Sequence, residues 1–391
     1  MNIRFIALVA MLISLVAFGT DAMLPALPEI GRALGLTGAN RVQLIISVFI
    51  LGIGFGQLVF GPLSDYLGRK PTILLGLALF ILGSAVSLLA PNFETMLAGR
   101  LLQGLGAAGP RTASLAMVRD LYKGREMAQV MSFVMAVFIL VPALAPLMGQ
   151  VVMLTWGWQT IFVAFILFGL IAFFWMFLGQ PETLKSRKRF SWTDLGRRVG
   201  VVFRNRQTMA FTGVAGLNFA GFVVYLSYAE QIFTDIFGTG TLFPLYFAIM
   251  SLAVGAAAVL NARLVMRFGM QKLLTGGVMA LVGFSLVYTG LIALFPTAES
   301  LWVFLAWGVL AFFSVGLVFG NVNALAMEPM GENAGIAAAV IGAVSTLIAV
   351  AIGVPLGLLY NGTTLPLVGG IASLGLGCLL VIRYGAAARA A

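Results

Sequence analysis

The chain has 391 residues, of which 61% are hydrophobic and only 9% charged, and its mean hydropathy is +1.06. That leaves too little polar surface to cover a water-soluble body of this size, so the composition describes a polytopic membrane protein and excludes a large soluble domain. The net charge of +10 does not point to nucleic acid, because the bases mark loops between apolar runs, and the lack of histidine with a single Cys378 leaves no disulfide framework, metal cluster or imidazole proton shuttle.

A membrane span needs about 20 apolar residues, and backbone groups in lipid must be satisfied within the segment, so long apolar runs are helices. Twelve such runs follow one another in the sequence. The first, from about Ile3 to Met23, is expected to be retained and not cleaved: it lacks a small-x-small site, and Asp21, Pro25 and Pro28 make a poor export-signal ending. The next five fall near Val42 to Leu63, Pro71 to Leu89, Thr95 to Val118, Ala128 to Leu154 and Trp158 to Leu178. A basic, partly amphipathic linker over 182–207 then separates six further runs: Thr208 to Tyr228, Leu242 to Leu264, Leu273 to Leu294, Leu301 to Asn323, Ala334 to Leu358 and Leu365 to Ile382. The expected architecture is all-α, with twelve transmembrane helices in two six-helix bundles, 1–181 and 208–391.

Between the second and third runs lies GPLSDYLGRK, Gly61 to Lys70, whose polar and turn-forming residues predict a tight loop at a membrane face. Its pattern of glycine, acid, glycine and paired bases resembles the signature between the second and third helices of the major facilitator superfamily. A degraded copy, RLVMRFGMQKLLTGG, starts at Arg263 about 200 residues later and has no acid, as expected for two related halves in which the first holds most of the charged machinery. With a cytoplasmic amino terminus, 19 of the 23 basic residues fall on cytoplasmic segments, Arg32 and Arg41 fall outside, and Arg100 and Arg111 lie within a span. The positive-inside rule therefore places both termini in the cytoplasm.

Ionisable groups inside the bilayer cost about 2.5 to 3.5 kcal/mol each at a helix centre, so those that persist usually line a cavity. Three stand out. Asp21, in GTDAMLPALPEI, is either a proton carrier or a polar helix end at the outer interface. Arg100 opens RLLQGLGAAGPR, and Arg111 follows eleven positions later, within roughly 20° of the same helical face. Two such cations can hold an anionic substrate or pair with Asp21, or Arg111 can instead snorkel to the cytoplasmic interface.

These stretches carry a wider resemblance. The Asp21 segment is similar to the Asp-x-x-x-Pro element of drug/proton antiporters, and Arg100, Gln103 and Gly104 match the superfamily's second signature, whose arginine is associated with proton transfer. VPALAPLMGQ resembles the kinked fifth helix of proton-driven exporters: Pro142, Pro146 and Gly149 match, while Gln150 replaces the usual second glycine. GNVNALAMEPMGENAG from Gly320 resembles an inner loop of the Bcr/CflA (bicyclomycin- and chloramphenicol-resistance) type. The resemblance implies a major facilitator fold in a bacterial inner membrane, exporting drugs or small metabolites in exchange for protons. It further implies no enzymatic activity, no cofactor beyond the proton gradient, no metal, and a monomer. An importer of a small organic anion and, less well supported, a membrane receptor are the alternatives.

Proton coupling is expected at Asp21 and Arg100. The substrate cavity is expected at Gln103, Arg111, Asn218, Tyr225 and Tyr228, with Phe133, Phe138, Tyr246 and Phe313 as an aromatic wall. Each aromatic taken alone has core or lipid contact as its alternative. Asp65, Gly68 and Arg69 with Arg119, Asp120, Arg125 and Glu126 form a candidate cytoplasmic gate, for which solvated loop charge is the alternative. Arg111 points to anionic or zwitterionic cargo, whereas the resemblance implies phenicols, bicyclomycin-like drugs, sulfonamides or small amino-acid derivatives.

Overall fold

A computed structural model describes residues 3–36, 40–184 and 191–390, without the side chains at 125, 128, 135, 138, 139, 332 and 384–390. Arg125 and Phe138 therefore lie outside the described side chains. The helices are α1 (Ile3–Asp21), α2 (Leu27–Ala33), α3 (Leu44–Leu67), α4 (Arg69–Leu88), α5 (Phe93–Leu121), α6 (Gly124–Trp156), α7 (Gln159–Gly179), α8 (Trp192–Arg204), α9 (Arg206–Gln231), α10 (Phe243–Phe268), α11 (Met270–Leu294), α12 (Leu301–Met327), α13 (Ala334–Gly357) and α14 (Leu365–Ala390). Among the described residues there is no strand. All but α2 and α8 are long enough to cross a bilayer. Ten helical stretches are also uniformly apolar, and α5 and α6, of 29 and 33 residues, complete the twelve.

The chain divides into two compact units, residues 1–199 with 338–343, and residues 200–337 with 344–391. The division falls inside α8, within the expected 182–207 linker, and a short piece of α13 groups with the first unit.

In the first unit α5 is packed between α3 and α4. Apolar surface gives helices no drive to associate in lipid, so close approach of backbones has to supply the contact. Gly104 shows this best: a side chain there would run into the Phe49 carbonyl of α3. Two elements depart from the sequence-based expectation. The tight loop expected over GPLSDYLGRK shrinks to one residue: α3 continues to Leu67 and α4 begins at Arg69, so Gly68 alone (φ 111°) turns the chain. The second unit repeats the device, with Gly269 (φ 79°) alone between α10 and α11. The polar residues of GPLSDYLGRK occupy the ends of two helices and not a separate loop. The linker likewise contains a helix, α8, whose Leu195, Val199 and Val202 share one face while Asp194, Arg197, Arg198 and Arg204 supply its charge.

Candidate substrate and proton pathway

In the first unit Arg100 is fully buried on α5. Its Nη2 donates to the Gly19 carbonyl of α1 (2.8 Å), Nε to the Ile45 carbonyl of α3 (3.1 Å), and Nη1 to Gln103 Oε1 (2.5 Å). The guanidinium carbon also lies 4.3 Å from the centre of the Phe49 ring, a cation–π distance. Gln103 passes the chain on, Nε2 donating to Ser84 Oγ (2.8 Å), which donates to the Phe80 carbonyl of α4 (2.7 Å). One charge thus ties four helices through acceptors that carry no charge of their own. Asp21 ends α1 two residues beyond Gly19, and it is 2% exposed. Among the described residues no hydrogen bond or ion pair reaches its carboxyl. Gly149 of α6 packs directly on the Ala22 carbonyl beside it, and Pro146 and Pro142 interrupt the α6 backbone ladder about one and two turns earlier. Arg111 is half-buried and takes part in no ion pair among the described residues.

At the opposite end of the same unit Arg69 is buried and holds a polar network. Its Nη1 donates to Ser64 Oγ (3.0 Å) and Asp65 Oδ1 (2.5 Å), and its Nε to Asp120 Oδ2 (2.9 Å). Thr183 Oγ1 donates to the same Asp120 oxygen (3.2 Å). The Glu182 carboxylate accepts from the backbone N–H groups of Arg69 (3.0 Å) and Lys70 (3.1 Å), capping α4 where its own first-turn donors would be orphaned. A side chain at Gly68 would meet that carboxylate. Arg119 and Glu126 are exposed and stand outside this network.

In the second unit Asn218 is buried beside a narrow cleft, with Phe222, Ala311, Phe312, Leu374 and Cys378 in the lining. Tyr225 and Tyr228 do not join it there. Tyr225 donates to Met250 Sδ (3.1 Å) and sits edge-on to Phe312, and Tyr228 donates to the Leu356 carbonyl (2.5 Å). Tyr246 stacks on Phe233 and Phe313 is half-buried. Phe133 of α6 is 49% exposed. The structure therefore brings together Arg100 with Gln103, and Asp65 with Arg69 and Asp120, and leaves the aromatic residues in separate packing.

Two carboxylates were missed from sequence. Glu182 follows the sixth span in PET and reads as the start of a linker; its adjacency to a helix end was the available signal. Glu230 is 8% exposed near the end of α9 and accepts from Thr234 Oγ1 (2.9 Å), just before a π-helical turn, Ile232–Ile236. Ending the seventh span at Tyr228 put Glu230 outside the membrane by two residues, although the apolar run resumes at Ile232. The second half thus has a buried acid of its own, although Asp21, Arg69 and Arg100 are all buried in the first.

A twelve-helix body with paired halves, a buried arginine node and buried acids is the build of a secondary transporter. Residues 9–354 match the family described as Major Facilitator Superfamily, and the chain belongs to it. It is 30% identical over 354 residues to an uncharacterised transporter of that type, YdgK of Bacillus subtilis, covering 87% of this chain and 85% of that one. It is 31% identical over 348 residues, with the same coverage, to the bicyclomycin resistance protein homologue of Haemophilus influenzae. The crystal structure of a D-xylose–proton symporter superposes with a TM-score of 0.75 over 97% of both chains at 15% identity, a likeness of fold.

Proposed function

We propose that the chain is a proton-coupled secondary transporter that exports drugs or small metabolites by alternating access, substrate moving outward as protons move inward. The observation that carries this is Asp21, a carboxyl buried at the end of α1 with no cation against it, one step from the Arg100 node. Such a group can take up and release a proton as access alternates. Kinship with the bicyclomycin resistance protein homologue supports outward drug transport. No cofactor is required, because one proton moving down about 150 mV supplies roughly 3.5 kcal/mol, enough for a several-hundredfold gradient of a neutral solute. The distribution of bases supports cytoplasmic termini in a bacterial inner membrane. Arg111, in no ion pair among the described residues, favours cargo with an anionic or zwitterionic group.

That same arginine favours the second reading, import of a small organic anion with protons. Purified protein in proteoliposomes enclosing a pH-sensitive dye separates the two when phenicols, sulfonamides and small carboxylates are added in turn. Drug-driven counterflow of protons is the expected result. Co-directional flow with carboxylates alone would replace export by symport, and absence of any flux would leave a receptor.

A further inference from the structure

Outside the spans, α8 carries an apolar face that the protein covers only in part. At about 100° per residue, Trp192, Leu195, Val199, Val202 and Phe203 fall within one arc of roughly 100°. Val202, at one edge of that arc, is fully buried, and Leu195 and Val199 are half-buried; Trp192 and Phe203, at the other edge, are 77% and 50% exposed. Further round the helix from these two rings come Gly196 and Gly200, then Thr193, and then the exposed Arg204 and Arg197. Glycine weakens a helix, and packing does not call for it at either position, since a side chain there would meet nothing within 4 Å. The result is an open strip with aromatic rings along one border and guanidinium groups along the other. Asp194, the single acid of α8, lies beyond Arg197 and is paired with Arg197 (2.6 Å) and Arg198 (2.8 Å). Arg204 takes part in no ion pair among the described residues.

The place of α8 in the chain decides what can meet this strip. Asn205 alone separates it from α9: its extended backbone (ψ 109°) ends one helix, and its side chain caps the next by accepting from the Thr208 N–H (2.9 Å). Because α9 crosses the bilayer, Arg204 stands at the membrane face. Tryptophan favours the level of the lipid headgroups, and a guanidinium holds a phosphate through parallel hydrogen bonds. We infer that α8 is a membrane-surface helix that binds anionic phospholipids, Trp192 and Phe203 entering the boundary between headgroups and acyl chains while Arg197 and Arg204 hold the phosphates. Charge selects anionic over zwitterionic lipid: α8 has three arginines to its one acid, and Lys185, Arg187, Lys188 and Arg189 precede it in the sequence. The surface is independent of the cargo and of the direction in which it moves.

The test uses the full-length protein in nanodiscs, with Gly196→Cys labelled by a bimane fluorophore; position 196 has room for it, and the native Cys378 is buried. Replacing part of the phosphatidylcholine by phosphatidylglycerol is expected to shift the emission to the blue. Arg204→Gln should raise the fraction of phosphatidylglycerol needed for half of that shift about fivefold, the value of one surface arginine at an anionic membrane. Trp192→Ser with Phe203→Ser should abolish the shift. Should the labelled protein fail to accumulate, quenching by brominated phosphatidylglycerol of the emission that Trp192→Phe removes gives the same comparison without a label. Equal signals in the two lipids, or a half-point unmoved by Arg204→Gln, would overturn binding of anionic lipid. A shift reproduced by inorganic phosphate in phosphatidylcholine discs would assign the arginines to a free anion and overturn it too.

Discussion

Arg100 and Asp21 are close in space and opposite in kind. Arg100 uses three of its donors on Gly19, Ile45 and Gln103, so its charge is anchored by geometry. Lysine keeps the charge but is a point donor that cannot reach three acceptors in a plane. Arg100→Lys is therefore expected to lower stability by about 1.5 to 3 kcal/mol, the value of a hydrogen bond to a charged group, read as a fall in unfolding temperature of the detergent-solubilised protein. Asp21 accepts nothing from the described residues, so Asp21→Asn should leave that temperature unchanged while abolishing drug-driven proton counterflow. If both substitutions destabilise alike, Asp21 is a packing residue and its proton role fails. The sequence exposed these two residues as charges in apolar runs. Beyond Gln103 it did not expose their surroundings, because the other two partners of Arg100 are main-chain carbonyls and any residue at 19 or 45 supplies one. Glu230 was hidden for another reason: it stands where hydropathy dips between two apolar stretches of a helix that does not end there.

At the scale of elements, the α3–α4 joint depends on one conformation and one distant carboxylate. Gly68 has a φ of 111°, where other residues are strained, and its missing side chain makes room for Glu182. Gly68→Ala is expected to cost at least 1 to 3 kcal/mol through backbone strain alone. Glu182→Gln keeps the size and gives up the charge facing the start of α4, at about 0.3 to 1 kcal/mol. Both are read from thermal unfolding, and an unchanged temperature in Gly68→Ala would contradict the described turn. The α8 helix carries a pH-dependent contact. The Arg197 hydrogen bond at 2.6 Å, with Arg198 alongside, holds the Asp194 carboxyl below its usual range. The sign follows directly: stabilisation is complete above the ordinary aspartate range and fades as the pH falls through the lowered value. Trp192 fluorescence should report a transition there that Asp194→Asn removes. The sequence marked this segment as basic and partly amphipathic, but short helices among charges are decided by such local pairs more than by periodicity.

For the whole molecule, the number of spans, the halving and the repeat were legible because bilayer thickness imposes one length on every crossing. Orientation can be checked with the native cysteine left in place, since Cys378 is buried. A membrane-impermeant maleimide on intact cells should label Pro91→Cys, between α4 and α5, and spare Lys123→Cys, between α5 and α6; the reverse pattern would place the termini outside. Gly68 and Gly269 have one more consequence. A joint one residue long has no slack, so the screw phase of α4 is set by that of α3, and that of α11 by α10. One added residue would turn the following helix by about 100° and advance it 1.5 Å, taking every contact along it out of register at once. Each pair is in effect a single threaded part, and insertions should be tolerated between α4 and α5 long before they are tolerated beside either glycine.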